Sequence, residues 1–262
     1  MNKYNVFTIL NSSYIKFGKI WINSLYDKVD INKIENIFIG DTGLNKEDKN
    51  YLQKYDKVKI INTNISDTDT EFKTWGDKWH NSVSQKTKLF RELIKTQNLP
   101  VIMLDVDLLF LKDINSLINL NYDIQICFRN HKRRERPHPM DYLASYVCVN
   151  NKKALQFLDT WINMIDNSEN IKINGELIEA KETPCLCKTV EIYRSDNIKI
   201  GHVDEDIVSV YDSPDILPDL SKIIHFKGLG GNSLSNSIDE AYYNKITAKG
   251  WDGYIIDKNY LN

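Results

Sequence analysis

The sequence predicts an α/β fold, a mostly parallel central sheet flanked by helices and carried in a single domain. Three observations lead there. Short apolar runs alternate with amphipathic helical stretches from residue 4 to residue 110, as they do when parallel strands are joined by helices. Residues 101–110 form an apolar run, too short to cross a membrane, broken only by Asp105 and Asp107. No repeat, low-complexity stretch or linker divides the 262 residues, a length that suits one such domain with a large core.

The elements follow in order. Val6, Phe7, Ile9 and Leu10 mark a first strand over residues 4–10, closed by the loop signal Asn11-Ser12-Ser13. A helix over about 14–26 places Phe17, Ile20, Trp21 and Leu25 on one face. Residues 34–39 form a second strand, and Gly40-Asp41-Thr42-Gly43 turns the chain. Asn45, with Glu47 and Asp48, opens a short helix before a third strand at 58–61. Residues 62–81 are polar and irregular and contain Trp75 and Trp79. The helix predicted over 84–97 buries Leu89, Phe90, Leu93 and Ile94 and leads through Pro100 into the Asp105/Asp107 strand. Beyond it the pattern is less regular. Strands are predicted at 124–128, 146–149, 207–210 and 223–226, and a helix from Asn151 to about 166. A capping box at Ser237-Ile238-Asp239-Glu240 opens a last helix ending near Gly250.

Composition narrows the function. A formal net charge of -2 gives no reason to expect nucleic acid or an anionic membrane as partner. The N-terminal residues lack the apolar core of a signal peptide, and no stretch is long enough for a transmembrane helix, so a cytoplasmic protein is expected. Four cysteines, Cys127, Cys148, Cys185 and Cys187, include only one close pair and make no zinc box; buried reduced thiols are the expectation.

The carboxylates carry the chemistry. A buried strand does not keep two unpaired acids, because burying a charge is costly. Asp105 and Asp107 therefore belong where the strand ends and something positive meets them. In a strand, residues i and i+2 share a face, so both can reach one cation, and carboxylate-led oxygen ligation suits Mg²⁺ or Mn²⁺. An Asp-rich turn is the alternative. Open α/β sheets bind ligands at the C-terminal ends of their strands. The first strand ends at Thr8 to Asn11 with Tyr14 beyond, a set suited to a base and ribose. The last ends at His225, an imidazole suited to Mn²⁺, followed by Lys227, Gly228 and a glycine-rich backbone able to approach phosphates.

In their order, these motifs resemble the GT-A glycosyltransferases, specifically the retaining family 8 type that includes glycogenin and the lipopolysaccharide galactosyltransferases. Thr87-Lys88-Leu89 is similar to that family's lysine-bearing helix, and Leu104-Asp105-Val106-Asp107 to its metal strand. Tyr146-Val147-Cys148-Val149-Asn150 is similar to the strand lining the sugar site, and Ile224-His225-Phe226-Lys227-Gly228 to its C-terminal metal histidine and glycine. The resemblance covers about residues 4–230. It implies Mn²⁺ (or Mg²⁺) on Asp105, Asp107 and His225, and donor contacts from Thr8, Asn11, Tyr14, Lys88, Val106, Lys227 and Gly228. It also implies residues 1–115 as the nucleotide- and metal-binding half and 116–262 as the acceptor half. Glu182-Thr183 stands where the family has Asp-Gln. Glu182 is therefore the candidate catalytic carboxylate, with a surface glutamate beside a turn as the other reading. Gly231-Asn232-Ser233 stands where the family has a lysine, proline and tryptophan.

The activity implied is transfer of a hexose from a UDP-sugar to a hydroxyl of a glycan or glycoconjugate, with retention. A chain that keeps the fold and binds nucleotide or glycan without transfer is the alternative. A nucleotidyltransferase would want a glycine-rich N-terminal phosphate loop, and residues 8–14 contain no glycine. The basic loop Lys132 to Arg136 reads as a solvated loop or as a site for a phosphate-bearing acceptor. Trp75 and Trp79 read as core or as acceptor-stacking residues.

Overall fold

The computed structural model describes residues 3–63, 77–129, 140–194, 197–210, 220–225 and 258–261. The first strand, β1 (Tyr4–Leu10), is central, and the chain builds outward from it in both directions. After α1 (Ile15–Lys28) it adds β2 (Ile34–Asp41) on one side of β1. After α2 (Lys46–Leu52) it adds β3 (Val58–Asn62) beyond β2. It then crosses back through α3 (Asp77–Thr96) and lays β4 (Val101–Leu104) on the other side of β1. These pairings are all parallel. The reversal between β1 and β4 is the switch point at which open sheets of this kind form a binding crevice.

The sheet continues with β5 (Leu108–Phe110) set aside. It takes up β6 (Ile124–Phe128), β7 (Tyr142–Val149) and β10 (Ile200–Asp204), giving the order β10-β6-β7-β4-β1-β2-β3. Strand β7 runs antiparallel to both β4 and β6, and β10 is parallel to β6. All eight residues of β7 are buried, which explains its unbroken apolar reading, Tyr-Leu-Ala-Ser-Tyr-Val-Cys-Val. Between β7 and β10 lie α4 (Leu155–Asn167), a hairpin of β8 (Asn170–Ile173) and β9 (Glu176–Glu179), and α5 (Glu182–Tyr193).

Both faces of the sheet are covered. Trp21, Ile22 and Leu25 of α1 pack with Tyr4, Val6, Leu10, Ile102 and Leu104 on one face. On the other, Phe90, Leu93 and Ile94 of α3 meet Phe7 and Met103, and Phe157, Leu158 and Trp161 of α4 extend that core. The Phe7 and Phe90 rings lie 6.0 Å apart.

The structure departs from the sequence reading in several places, among them α3, which begins at Asp77 inside the stretch read as irregular, and β7, which begins at Tyr142. Residues 101–110 form two strands in two sheets, not one strand. β4 ends at Leu104, the chain bends through Asp105 to Asp107, and β5 joins a three-stranded sheet with β11 (Val208–Val210) and β12 (Ile223–His225). Phe110 of β5 packs edge-on against Trp21, 5.6 Å between ring centroids, and its N–H donates to Ser24 Oγ of α1 at 3.2 Å. The strand ending at His225 accordingly belongs to this small sheet. Helix α5 and strand β10 were not expected. Pro184 in the first turn of α5 reads as a helix breaker, yet a first-turn N–H has no acceptor to lose. The β8–β9 hairpin turns on Asn174 and Gly175, both at positive φ, the Asn-Gly signature of a two-residue turn. The predicted last helix at 237–250, the basic loop, Trp75, Lys227 and Gly228 lie outside the described residues.

Candidate active site

The site is assembled where β4, β12, α3, α5 and the loop after β1 meet. Asp105 stands one residue past β4, its N–H donating to the Ser145 carbonyl of β7 at 3.3 Å. Asp107 stands just before β5. Strand β12 runs antiparallel to β5 with His225 opposite Leu108, which brings the imidazole alongside Asp107. His225 Nε2 lies 3.2 Å from Asp107 Oδ1 and 3.5 Å from Asp105 Oδ2. One ligand atom from each of the three residues falls within 4.8 Å of the others, a spacing one ion spans. Two carboxylate oxygens and an imidazole nitrogen suit Mn²⁺ or Mg²⁺ completed by further oxygens. Burial alone would raise the Asp107 carboxyl, but the His225 imidazole beside it holds its pKa below the usual carboxylate value.

The carboxylates converge because the chain bends and changes sheets between them. The strand alternation inferred from sequence is not the cause, since neither lies within a strand.

A second cation meets Asp105 from the opposite side. Lys86 is buried, with its Nζ 2.6 Å from Asp105 Oδ1 and 2.7 Å from Glu182 Oε1. The reason is helical phase. Lys86 stands four residues before Phe90 and so shares its sheet-facing side. A lysine is rarely buried unless paired. Burial pulls the ammonium pKa down, but Asp105 and Glu182 more than reverse this and hold it above the ordinary lysine value. Glu182 opens α5 and is buried, and its carbonyl accepts from Trp161 Nε1 at 2.8 Å. The surface-turn reading of Glu182 therefore fails.

The loop after β1 supplies a third wall. Asn11 caps the turn Ser12–Tyr14, its Oδ1 accepting from Tyr14 N at 3.1 Å and from Ser13 Oγ at 2.7 Å. Asn11 thus holds Tyr14 in place. The Tyr14 hydroxyl is pushed far above its usual pKa, by burial first and then by Asp107 and Asp105, so it stays protonated beside the carboxylates. This loop is fastened to the one after β2: Ser12 N donates to Gly43 O at 3.2 Å, and Ser12 Oγ bonds Asp48. Asp41 receives the N–H groups of Gly43 and Leu44 and pairs with Lys49 at 2.6 Å.

The sequence-predicted residues thus fall into groups. Asp105, Asp107 and His225 come together, with Tyr14 and Glu182 beside them. Val106 is half-buried against the α1-side core. Thr8 is buried within β1, its hydroxyl without a hydrogen-bond partner among the described residues. Lys88 is not brought to the carboxylates; two positions past Lys86 it faces the other way and pairs with Asp166 of α4 at 2.9 Å. Sequence reasoning missed Lys86. The available signal was its i−4 relation to Phe90 in a stripe already read as buried.

A family model described as nucleotide-diphospho-sugar transferase matches residues 44–201, more than half of the chain. A search among curated proteins by sequence finds no match. Among solved structures, the chain is similar to galactosyltransferase LgtC in complex with donor and acceptor sugar analogs, at 11% identity and TM-score 0.58, covering 92% of this chain and 99% of that one. It is similar to glycosyltransferase GlyE of Streptococcus pneumoniae TIGR4, at 14% identity and TM-score 0.58, covering 94% of this chain and 60% of that one. An LgtC active-site variant, glutamine to glutamate, matches at 12% identity and TM-score 0.53, covering 96% and 100%. With the sheet order, the switch point and the carboxylates just past β4, these likenesses show a GT-A fold that resembles the family 8 transferases, and the chain belongs to the nucleotide-diphospho-sugar transferase family.

Proposed function

We propose that the protein is a divalent-metal-dependent glycosyltransferase that moves a hexose from a UDP-sugar to a hydroxyl of a glycan or glycoconjugate, with retention. The observation that carries this reading is the convergence of Asp105, Asp107 and His225 within 4.8 Å at the switch-point edge of the sheet. These residues would hold the ion, Mn²⁺ by preference, and the ion when bound neutralises charge on the departing diphosphate. Residues 1–115 supply the nucleotide and metal side, and residues 116–262 the acceptor side and His225.

The remaining chemistry belongs to the protein. Lys86 adds a fixed positive charge next to the ion site. Tyr14, kept protonated, donates a hydrogen bond toward the donor. Asn11 orients Tyr14, and Thr8 and Val106 form the wall behind it. Lys227 and Gly228 are assigned to the diphosphate from sequence alone. Glu182 orients the acceptor or stabilises the cation-like anomeric carbon. With retention, the departing phosphate oxygen takes the acceptor proton, so no strong protein base is required. The four cysteines are buried and free, which supports a reducing, cytoplasmic setting. Among the described residues no helix is long and apolar enough to cross a membrane.

The test is donor turnover. Purified protein with Mn²⁺ should bind a UDP-sugar, seen as a thermal shift, and slowly hydrolyse it. Asp107→Asn should abolish hydrolysis, and unchanged activity would sink the metal assignment. Binding with neither hydrolysis nor transfer would identify the non-transferring alternative.

A further inference from the structure

Asp105 has two carboxylate oxygens, and the structure divides them. Oδ1 is taken by Lys86 Nζ at 2.6 Å, while Oδ2 faces the imidazole of His225 at 3.5 Å, on the side of Asp107. The lysine cannot easily leave. It is buried, and its second contact, Glu182 at 2.7 Å, is itself buried. Moving the ammonium out would take it from two carboxylates at once, in a place where little water is there to replace them.

We propose that Lys86 is the positioning residue of the metal site: by occupying Oδ1 of Asp105 it leaves that residue a single oxygen for the ion, and so sets which ions the site prefers. This rests on the metal-dependent reading above and deepens it. With Oδ1 occupied, Asp105 offers Oδ2 alone, beside the carboxylate of Asp107 and Nε2 of His225. Mg²⁺ and Mn²⁺ accept few protein ligands and fill the remainder with water and phosphate oxygens. Ca²⁺ takes six to eight oxygens and readily uses both oxygens of a carboxylate. A carboxylate held to one oxygen therefore handicaps Ca²⁺ more than Mn²⁺.

The charge of Lys86 also repels any cation, but it repels two dications alike. The ratio of Mn²⁺ to Ca²⁺ affinity isolates the effect of position from that of charge. A merely structural role for Lys86 would not move this ratio.

The experiment is isothermal titration of the nucleotide-free protein with Mn²⁺ alone and with Ca²⁺ alone. It compares the wild type with Lys86→Met, Lys86→Arg and Lys86→Ala, with folding checked by circular dichroism. Lys86→Ala leaves room for water beside the two carboxylates and serves if Lys86→Met does not fold. The wild type should prefer Mn²⁺. Lys86→Met or Lys86→Ala should lower the Mn²⁺/Ca²⁺ ratio about tenfold or more, chiefly by a gain in Ca²⁺ affinity, while Lys86→Arg keeps the wild-type ratio. A folded neutral variant with an unchanged ratio overturns the inference and leaves the metal-dependent reading standing. A wild type that binds neither ion, alone or in the presence of UDP, overturns both.

Discussion

Two lysines on α3, two residues apart, have opposite fates. Lys86 is buried between Asp105 and Glu182, whereas Lys88 is 38% exposed and pairs with Asp166, itself 32% exposed. The residue type, the helix and the kind of partner are the same. What differs is a turn of about 200° about the helix axis, which points one ammonium into the sheet edge and the other over α4. The pair teaches that an ionic contact takes its weight from its surroundings. In water the attraction is screened and close to balanced by the cost of ordering the side chains. At a buried edge each charge depends on its partner because water is not there to replace it.

The largest expected effect is on stability. Lys86→Met should cost about 3–5 kcal/mol, as expected when one partner of a buried ion pair is removed. Lys88→Met should cost less than about 1 kcal/mol, the range for exposed pairs. Chemical denaturation of both variants tests this, and similar losses would dissolve the contrast. Activity comes next. Lys86→Met should lower kcat/KM for donor hydrolysis about 100-fold, the size expected for removing one preorganised charge. Lys88→Met should stay within about twofold, and a large loss there would return the sequence-based assignment of Lys88 to the donor.

Salt separates the two further. Raising ionic strength from about 0.05 to about 0.5 M should abolish whatever Lys88 contributes and leave the cost of Lys86→Met nearly unchanged, because buried pairs are poorly screened. The smallest effect concerns Asp41, an intermediate case whose carboxylate is nearly buried while its partner Lys49 is 36% exposed. Burial alone would raise the Asp41 pKa, but Lys49 and the Leu44 and Gly43 N–H groups hold it below its usual value. A depressed carboxylate adds stability that is present above its unfolded pKa, about 4, and is lost as pH falls through the folded value. Asp41→Asn should remove that contribution, lowering stability near pH 7 and flattening its fall through the acid window, as denaturation across a pH series reads.

Much of this was legible in the chain. Alternation of apolar runs and helical stripes marked β1, α1, β2 and β3 close to their observed bounds, since local patterning and caps such as Asn45 decide those elements. Helix α5 stayed hidden because Pro184 imitates a helix breaker, and β10 because its half-exposed pattern follows residues with no regular period. At the site, Asp105, Asp107 and His225 could be named as residues but not as geometry.

The sequence by itself determined the α/β class, the carboxylate pair at the end of an apolar strand, and the histidine far along the chain that a cation would want. These follow from local preference and from the cost of burying charge, which act residue by residue. The tertiary structure decided that Asp105 and Asp107 converge through a bend between two sheets, that β12 lies against β5, and that Lys86 meets Glu182. Those are contacts between segments distant in sequence. They depend on strand register and helix phase together, and no local pattern specifies how two such phases meet in space.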